Sequence, residues 1–174
     1  PMTVSSYLFG VNHVTPILSV VTDNQNLYGA TGIFDNWWTD WEKTAYVEYF
    51  DSAQNLVFSQ RAGIQIDGGW GGARYLPQHS FRVELDNGVL GDGPIDYQLI
   101  PGRPGRTKYS KFYLRNGSNQ YLVFPYKDAC ETAMMGSGTN NYYSAWRPVS
   151  VYINGYYFGL YELREKFDAE YFET

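Results

Sequence analysis

The chain has 174 residues, a length that allows one domain with a sizeable core. With 44% hydrophobic residues, 18% charged residues and a net charge of −5, it is not a disordered chain, which needs low hydrophobicity and high charge. No apolar run approaches the ~18 residues of a membrane-spanning helix, and the acidic balance argues against a dedicated nucleic-acid binder, although a local basic patch could still hold a phosphate.

Ile17 to Thr22 is β-branched and predicts a strand, and Asp23 to Asn36 reads as a loop punctuated by Asp, Asn and Gly. Thr44 to Phe50 alternates, Asp51 to Asn55 turns, and Leu56 to Gln60 returns as a second strand. Alternation continues over Gly63 to Asp67, ahead of a glycine cluster at Gly68, Gly69, Gly71 and Gly72, and again over Ser80 to Leu85. Residues 86–107 read as a long connection, and Tyr109 to Arg115 as a strand. Pro125 to Met135 predicts a short helix with Pro in its first turn, followed by a loop over Gly136 to Asn141. Val149 to Ile153 and Tyr156 to Tyr161 flank Asn154-Gly155, the strongest hairpin signal in the chain. Glu162 to Glu173 reads as a helix, with Leu163, Phe167 and Tyr171 spaced by four and no stop signal. Dominant strands with two late helices predict a single α+β domain, residues 1–174, on a largely antiparallel sheet. The start Pro1-Met2, with no visible leader, predicts a chain cut from a longer one or carrying a cloning remnant.

Several side chains are candidates for chemistry. Glycines let backbone N–H groups approach a phosphate, so Gly68 to Gly72 reads either as a phosphate-covering loop or as a tight turn. Arg74, Arg82 and Arg115 offer bidentate guanidinium forks for an anion, or for a neighbouring acid. The run Arg103, Arg106, Lys108, Lys111 and Arg115 contains no acid and reads as anion capture or as a solvated loop and strand edge. Asp128 suits a helix N-terminus, and Cys130 is expected to be buried as a small hydrophobe. As the single Cys, it excludes an intrachain disulfide and a Cys-based metal site, and His13 and His79 lie too far apart in sequence for a His-rich one. Asn116-Gly117-Ser118 fits a glycosylation acceptor but reads better as a turn. Trp37, Trp38 and Trp41 form either a glycan platform or a cover for the sheet, and Tyr142, Tyr143 and Trp146 raise the same alternatives.

Segments in order along most of the chain resemble the spore-coat-protein-H-like (CotH) kinase family. They are PILSVVTDNQNLYGATGIF (16–34), WEKTAYVEYFD (41–51), FSQRAGIQIDGGW (58–70), LPQHSFRV (76–83), KFYLRNGSN (111–119), KDA (127–129) and RPVSVYINGYYFGLYELREKFD (147–168). The resemblance implies the N-terminal part of an atypical protein-kinase-like fold, in a parent that transfers phosphate from ATP, with Mg²⁺, to Ser or Thr of surface or coat proteins. It implies an extracellular or cell-surface bacterial location. It places Gly68, Gly69, Gly71, Gly72, Arg74, His79 and Glu165 at the nucleotide, and Arg82 and Arg115 stay as possible anion contacts on their guanidinium chemistry alone. His79 stands where the family usually carries a Lys that pairs with the Glu matched by Glu165, and a mostly neutral His grounds phosphate poorly. The family's catalytic and metal-binding aspartate motifs do not occur here, so they are expected beyond residue 174 and these residues alone are expected to be inactive. The alternative is a non-catalytic structural or adhesive module of a cell-surface or virion-like assembly that binds protein or glycan.

Overall fold

The computed structural model describes residues 5–167 and 169–172. Ile17–Val21 forms β1, and Asp23 caps a one-turn helix, α1 (Asn24–Leu27), by accepting the Gln25 N–H at 2.9 Å. A long hairpin follows, β2 (Glu42–Phe50) and β3 (Leu56–Ile66), whose turn is organised by the Asp51 carboxylate accepting the Ala53 and Asn55 amides. Then come β4 (Phe81–Glu84), β5 (Ile95–Asp96), β6 (Lys108–Tyr109) and β7 (Lys111–Arg115). A 3-10 turn at Ser118–Gln120 leads to α2 (Lys127–Gly136). The hairpin β8 (Trp146–Ile153) and β9 (Tyr156–Arg164) turns at Asn154-Gly155, both at positive φ, and α3 spans Ala169–Phe172.

Among the described residues, seven strands close into a barrel in the order β1-β2-β3-β4-β7-β9-β8, while β5 and β6 form a separate ribbon. Every neighbouring pair in the barrel is antiparallel except the closing one, where β1 runs parallel to β8 with Ile17 opposite Ser150 and Val20 opposite Ile153. Alternate residues line the interior, among them Leu18, Val20, Val47, Ile64, Val83, Leu114, Val151, Tyr161 and Leu163, all buried. These side chains fill the lumen: the void between Val20, Ile64, Phe81 and Val151 holds about 10 Å³, no more than one water needs. A ligand therefore has to bind on the outside of the barrel.

This architecture corrects the sequence expectation. The molecule is a closed β-barrel with short helices, not an α+β domain with a kinase-like front half. Two differences account for the change. The β1–β8 pairing joins segments some 130 residues apart, a distance over which no sequence pattern carries register. The segment read as a helix from Glu162 is a strand through Arg164: Tyr161 and Leu163 point inward at period two, and Glu162 and Arg164 face α2. The spacing of four between Leu163, Phe167 and Tyr171 arises across a strand, a bend and a single helical turn. Asp168 and Glu173, also within that expected helix, lie outside the described residues. The late helix over Pro125 to Met135 is present, two residues displaced at its start, and Cys130 is half-buried rather than buried.

Candidate functional site

A groove of about 430 Å³ runs along the outer wall of the barrel. Its floor is β7, where Tyr113 and Arg115 alternate outward while Phe112 and Leu114 enter the core. The β3–β4 loop (67–80) forms one bank through Asp67, Gly68, Ala73 and Ser80. Opposite it stand Asp128 and Thr132 of α2, and the far end is closed by Arg164, Glu165, Lys166 and Phe167 as the chain leaves β9. This volume lies in the range of small-molecule sites, about 300–1,000 Å³.

The glycine-rich loop is held by hydrogen bonds on both sides. Arg74, with a buried side chain, donates to the carbonyls of Gly68 (2.7 Å), Trp37 (3.3 Å) and Thr39 (3.0 Å) and to Asp40 Oδ1 (2.6 Å). Its guanidinium is thus occupied within the protein. Asn116, nearly fully buried, donates Nδ2 to the carbonyls of Gly72 (3.2 Å) and Gln78 and accepts from Ser80 Oγ (2.8 Å) and the Ser118 amide (2.8 Å). The Asn116-Gly117-Ser118 sequence is therefore a turn whose Asn side chain is enclosed, with no room for a glycan.

Packing accounts for three of the four glycines: a Cβ on Gly68, at φ +105°, would meet the Ala73 Cβ at 2.5 Å. A Cβ on Gly71 would meet Asn119 Oδ1 at 2.7 Å, and one on Gly72, at φ +124°, would meet the Ser118 carbonyl oxygen at 2.8 Å. Gly69 instead opens to empty space. Gly72→Ala is accordingly expected to cost about 2–3 kcal/mol in urea denaturation, and Gly69→Ala less than about 0.5 kcal/mol. Equal losses at both positions would mean that the loop does not pack as described.

His79 and Glu165, which the family resemblance pairs, take different partners in the structure. The His79 ring lies against Phe34 at 4.8 Å, with Nδ1 on the Arg74 carbonyl and its own carbonyl accepting Tyr161 Oη at 2.7 Å. Burial lowers its pKa, so the imidazole is neutral, and the ring is not part of the groove wall. The Glu165 carboxylate, fully buried, accepts the Ala145 amide at 3.1 Å and lies 3.4 Å from Arg106 Nη1 and 3.8 Å from Arg103 Nε. Its pKa is raised by burial and pulled back by that amide and the two arginines. Arg82 is engaged by Glu84 at 2.8 Å and by Gln65, and Arg115 by Asp128 at 3.0 Å. The basic run is therefore divided: Arg103 and Arg106 turn to Glu165, and Arg115 to α2.

Sequence reasoning passed over Lys166. Its Nζ sits 5.1 Å above the Tyr113 ring, at the groove wall. A helix from Glu162 gives Lys166 no special place, and the strand register through Arg164 brings it beside the groove. Among the described residues, no three His, Cys, Asp or Glu side chains gather as a metal set.

A family model described as CotH kinase protein matches residues 64–174. The chain belongs to the CotH kinase family. The matched region begins near the end of β3 and contains the whole groove wall, from Asp67 to Phe167, while β1 and most of the β2–β3 hairpin lie outside it. No curated protein matches the sequence. Among the described residues no helix is long and apolar enough to cross a membrane.

Proposed function

We propose that this groove holds the phosphates of ATP for a CotH-family phosphotransferase that modifies Ser or Thr of bacterial surface or coat proteins. The observation that carries the reading is the convergence of the Gly68 loop, Arg115 and Lys166 on one groove inside the family-matched region. Cations beside a glycine-rich backbone suit a polyphosphate. Lys166 supplies the positive charge that a neutral, enclosed His79 does not, and Gly68 is the loop glycine on the groove wall. Gly68, Gly71, Gly72 and Arg74 shape the loop, and Glu165 fixes the segment that presents Lys166. Arg82, tied to Glu84, lies outside the groove wall and takes no part in this reading. Of the groove's carboxylates, Asp128 and Glu165 are engaged by arginines, and among the described residues no three His, Cys, Asp or Glu side chains gather as a metal set. The general base and the Mg²⁺ ligands are assigned to sequence other than these residues.

Calorimetric titration with ATP and with adenosine tests the reading. ATP is expected to bind, and Lys166→Ala to weaken ATP about ten- to hundredfold, the loss of one charge-assisted contact, while leaving adenosine unchanged. Absence of any ATP binding overturns the reading and leaves the non-catalytic surface module in its place. Unchanged ATP affinity in Lys166→Ala overturns the assignment of Lys166.

A further inference from the structure

On the far side of the glycine loop lies an aromatic surface that the groove does not use. The sequence grouped Trp37, Trp38 and Trp41; the fold regroups them. Trp37 packs against the core and acts as a buttress, with Trp38, Trp70 and Tyr75 around it at centroid distances of 5.6, 5.4 and 6.3 Å. Trp41 stands apart, with Lys43 5.6 Å from its ring. The three outer rings are 49%, 65% and 53% exposed. They meet Trp37 at 84°, 71° and 57°, so none of them is covered by a flat stack.

Two loops carry these rings, and the buried Arg74 guanidinium ties one to the other through Gly68, Trp37, Thr39 and Asp40. The surface is thereby fixed before a ligand arrives, which reduces the ordering cost of binding. Its charge narrows the choice of ligand. Across residues 28–40 and 67–80 the only Lys or Arg is Arg74, which is fully engaged, whereas Asp35, Asp40 and Asp67 are acidic. Single-stranded nucleic acid stacks on such rings but needs cations along its backbone. An anionic membrane surface and an acidic polysaccharide are repelled for the same reason. A ligand with apolar C–H faces and neutral hydroxyl donors matches what remains: ring faces for the former, and carboxylate and carbonyl acceptors for the latter.

We propose that Trp38, Trp70 and Tyr75 form a binding platform for a neutral carbohydrate chain. The platform is independent of the nucleotide reading, because its rings lie outside the groove wall.

Affinity electrophoresis in gels containing hydroxyethyl cellulose, mannan or glycol chitin tests it, with heparin and polygalacturonate as anionic comparisons. At least one neutral polysaccharide is expected to retard the protein, and neither anionic one. Trp38→Ala and Trp70→Ala are each expected to weaken the interaction about tenfold, with Trp41→Ala unchanged. Because these rings are exposed, far-UV circular dichroism should match wild type in every variant. Migration unaffected by every neutral polysaccharide overturns the proposal, as does retardation by heparin alone. Tryptophan fluorescence that responds to a polyproline peptide but to no polysaccharide overturns it in favour of a protein ligand, and retention undiminished in Trp38→Ala and Trp70→Ala overturns the assignment of the rings.

Discussion

Glu165→Ala is expected to lower the unfolding free energy by about 3–5 kcal/mol, the range for breaking a buried ion pair from one side. The carboxylate is fully buried, and the Arg106 side chain facing it is only 4% exposed. Without Glu165, that enclosed guanidinium loses the buried carboxylate facing it, and the Ala145 amide loses its acceptor. The effect spreads to α3, because Arg103 reaches from Glu165 to Tyr171, donating to Tyr171 Oη at 3.0 Å with the guanidinium 4.2 Å from the ring centroid. Glu165→Gln keeps an acceptor for Ala145 but not the charge, and should lose roughly half as much. Urea denaturation of both variants measures this. A loss below about 1 kcal/mol in Glu165→Ala would show that Arg106 is solvated when its partner is removed. The same variants separate support from ligand contact: if Glu165 acts by holding the Lys166 segment, ATP affinity in Glu165→Gln stays near wild type under conditions where the variant is folded.

The second large effect is a pH dependence at Glu162. Its carboxyl is pushed up to about 7, first by burial; Arg164 and Arg115 pull it back, and Asp128 pushes it further up. Below about pH 4.5 the group is protonated in both the folded and the unfolded chain and costs nothing. Between about pH 4.5 and 7 the unfolded chain gives up the proton and the folded one keeps it, so stability falls as pH rises. Above about pH 7 the penalty is constant at about 3 kcal/mol. Glu165, also raised by burial, adds a slope of the same sign. Glu162→Gln should match wild type at pH 4 and exceed it at pH 8 by about 2–3 kcal/mol. Arg164 retains Asp128 at 2.6 Å in that variant, so no guanidinium is stranded. Thermal or urea unfolding across pH 4–8 gives the difference directly, and a difference that does not change with pH would place the Glu162 pKa in the ordinary carboxylate range.

Local signals in the sequence were reliable where neighbouring residues decide the structure. Asn154-Gly155 turns the β8–β9 hairpin, the Asp51 turn joins β2 to β3, and alternation locates β4, while the strand expected over Tyr109 to Arg115 is divided between β6 and β7. The family resemblance was legible too, since the last segment, RPVSVYINGYYFGLYELREKFD, is compact and specific. What the sequence did not carry was closure. Whether a strand-rich chain closes or stays open depends on one pairing, and β1 and β8 show only ordinary β-branched runs. The site suffered from the same gap. Gly68 and Glu165 do share a groove, but His79 turns toward Phe34, and which way a loop histidine turns depends on packing with residues forty or more positions away. Lys166 came into view only once β9 was known to be a strand.

The parallel seam between β1 and β8 has a consequence for synthesis. While the chain emerges from the ribosome, β1 can zip onto β2 at once, but its other edge stays bare until residue 153 has appeared. Until then the nascent sheet presents the unpaired amides and carbonyls of that β1 edge, a template for wrong partners. Pairing between such remote segments forms slowly, so this edge stays open to mispairing until the barrel closes.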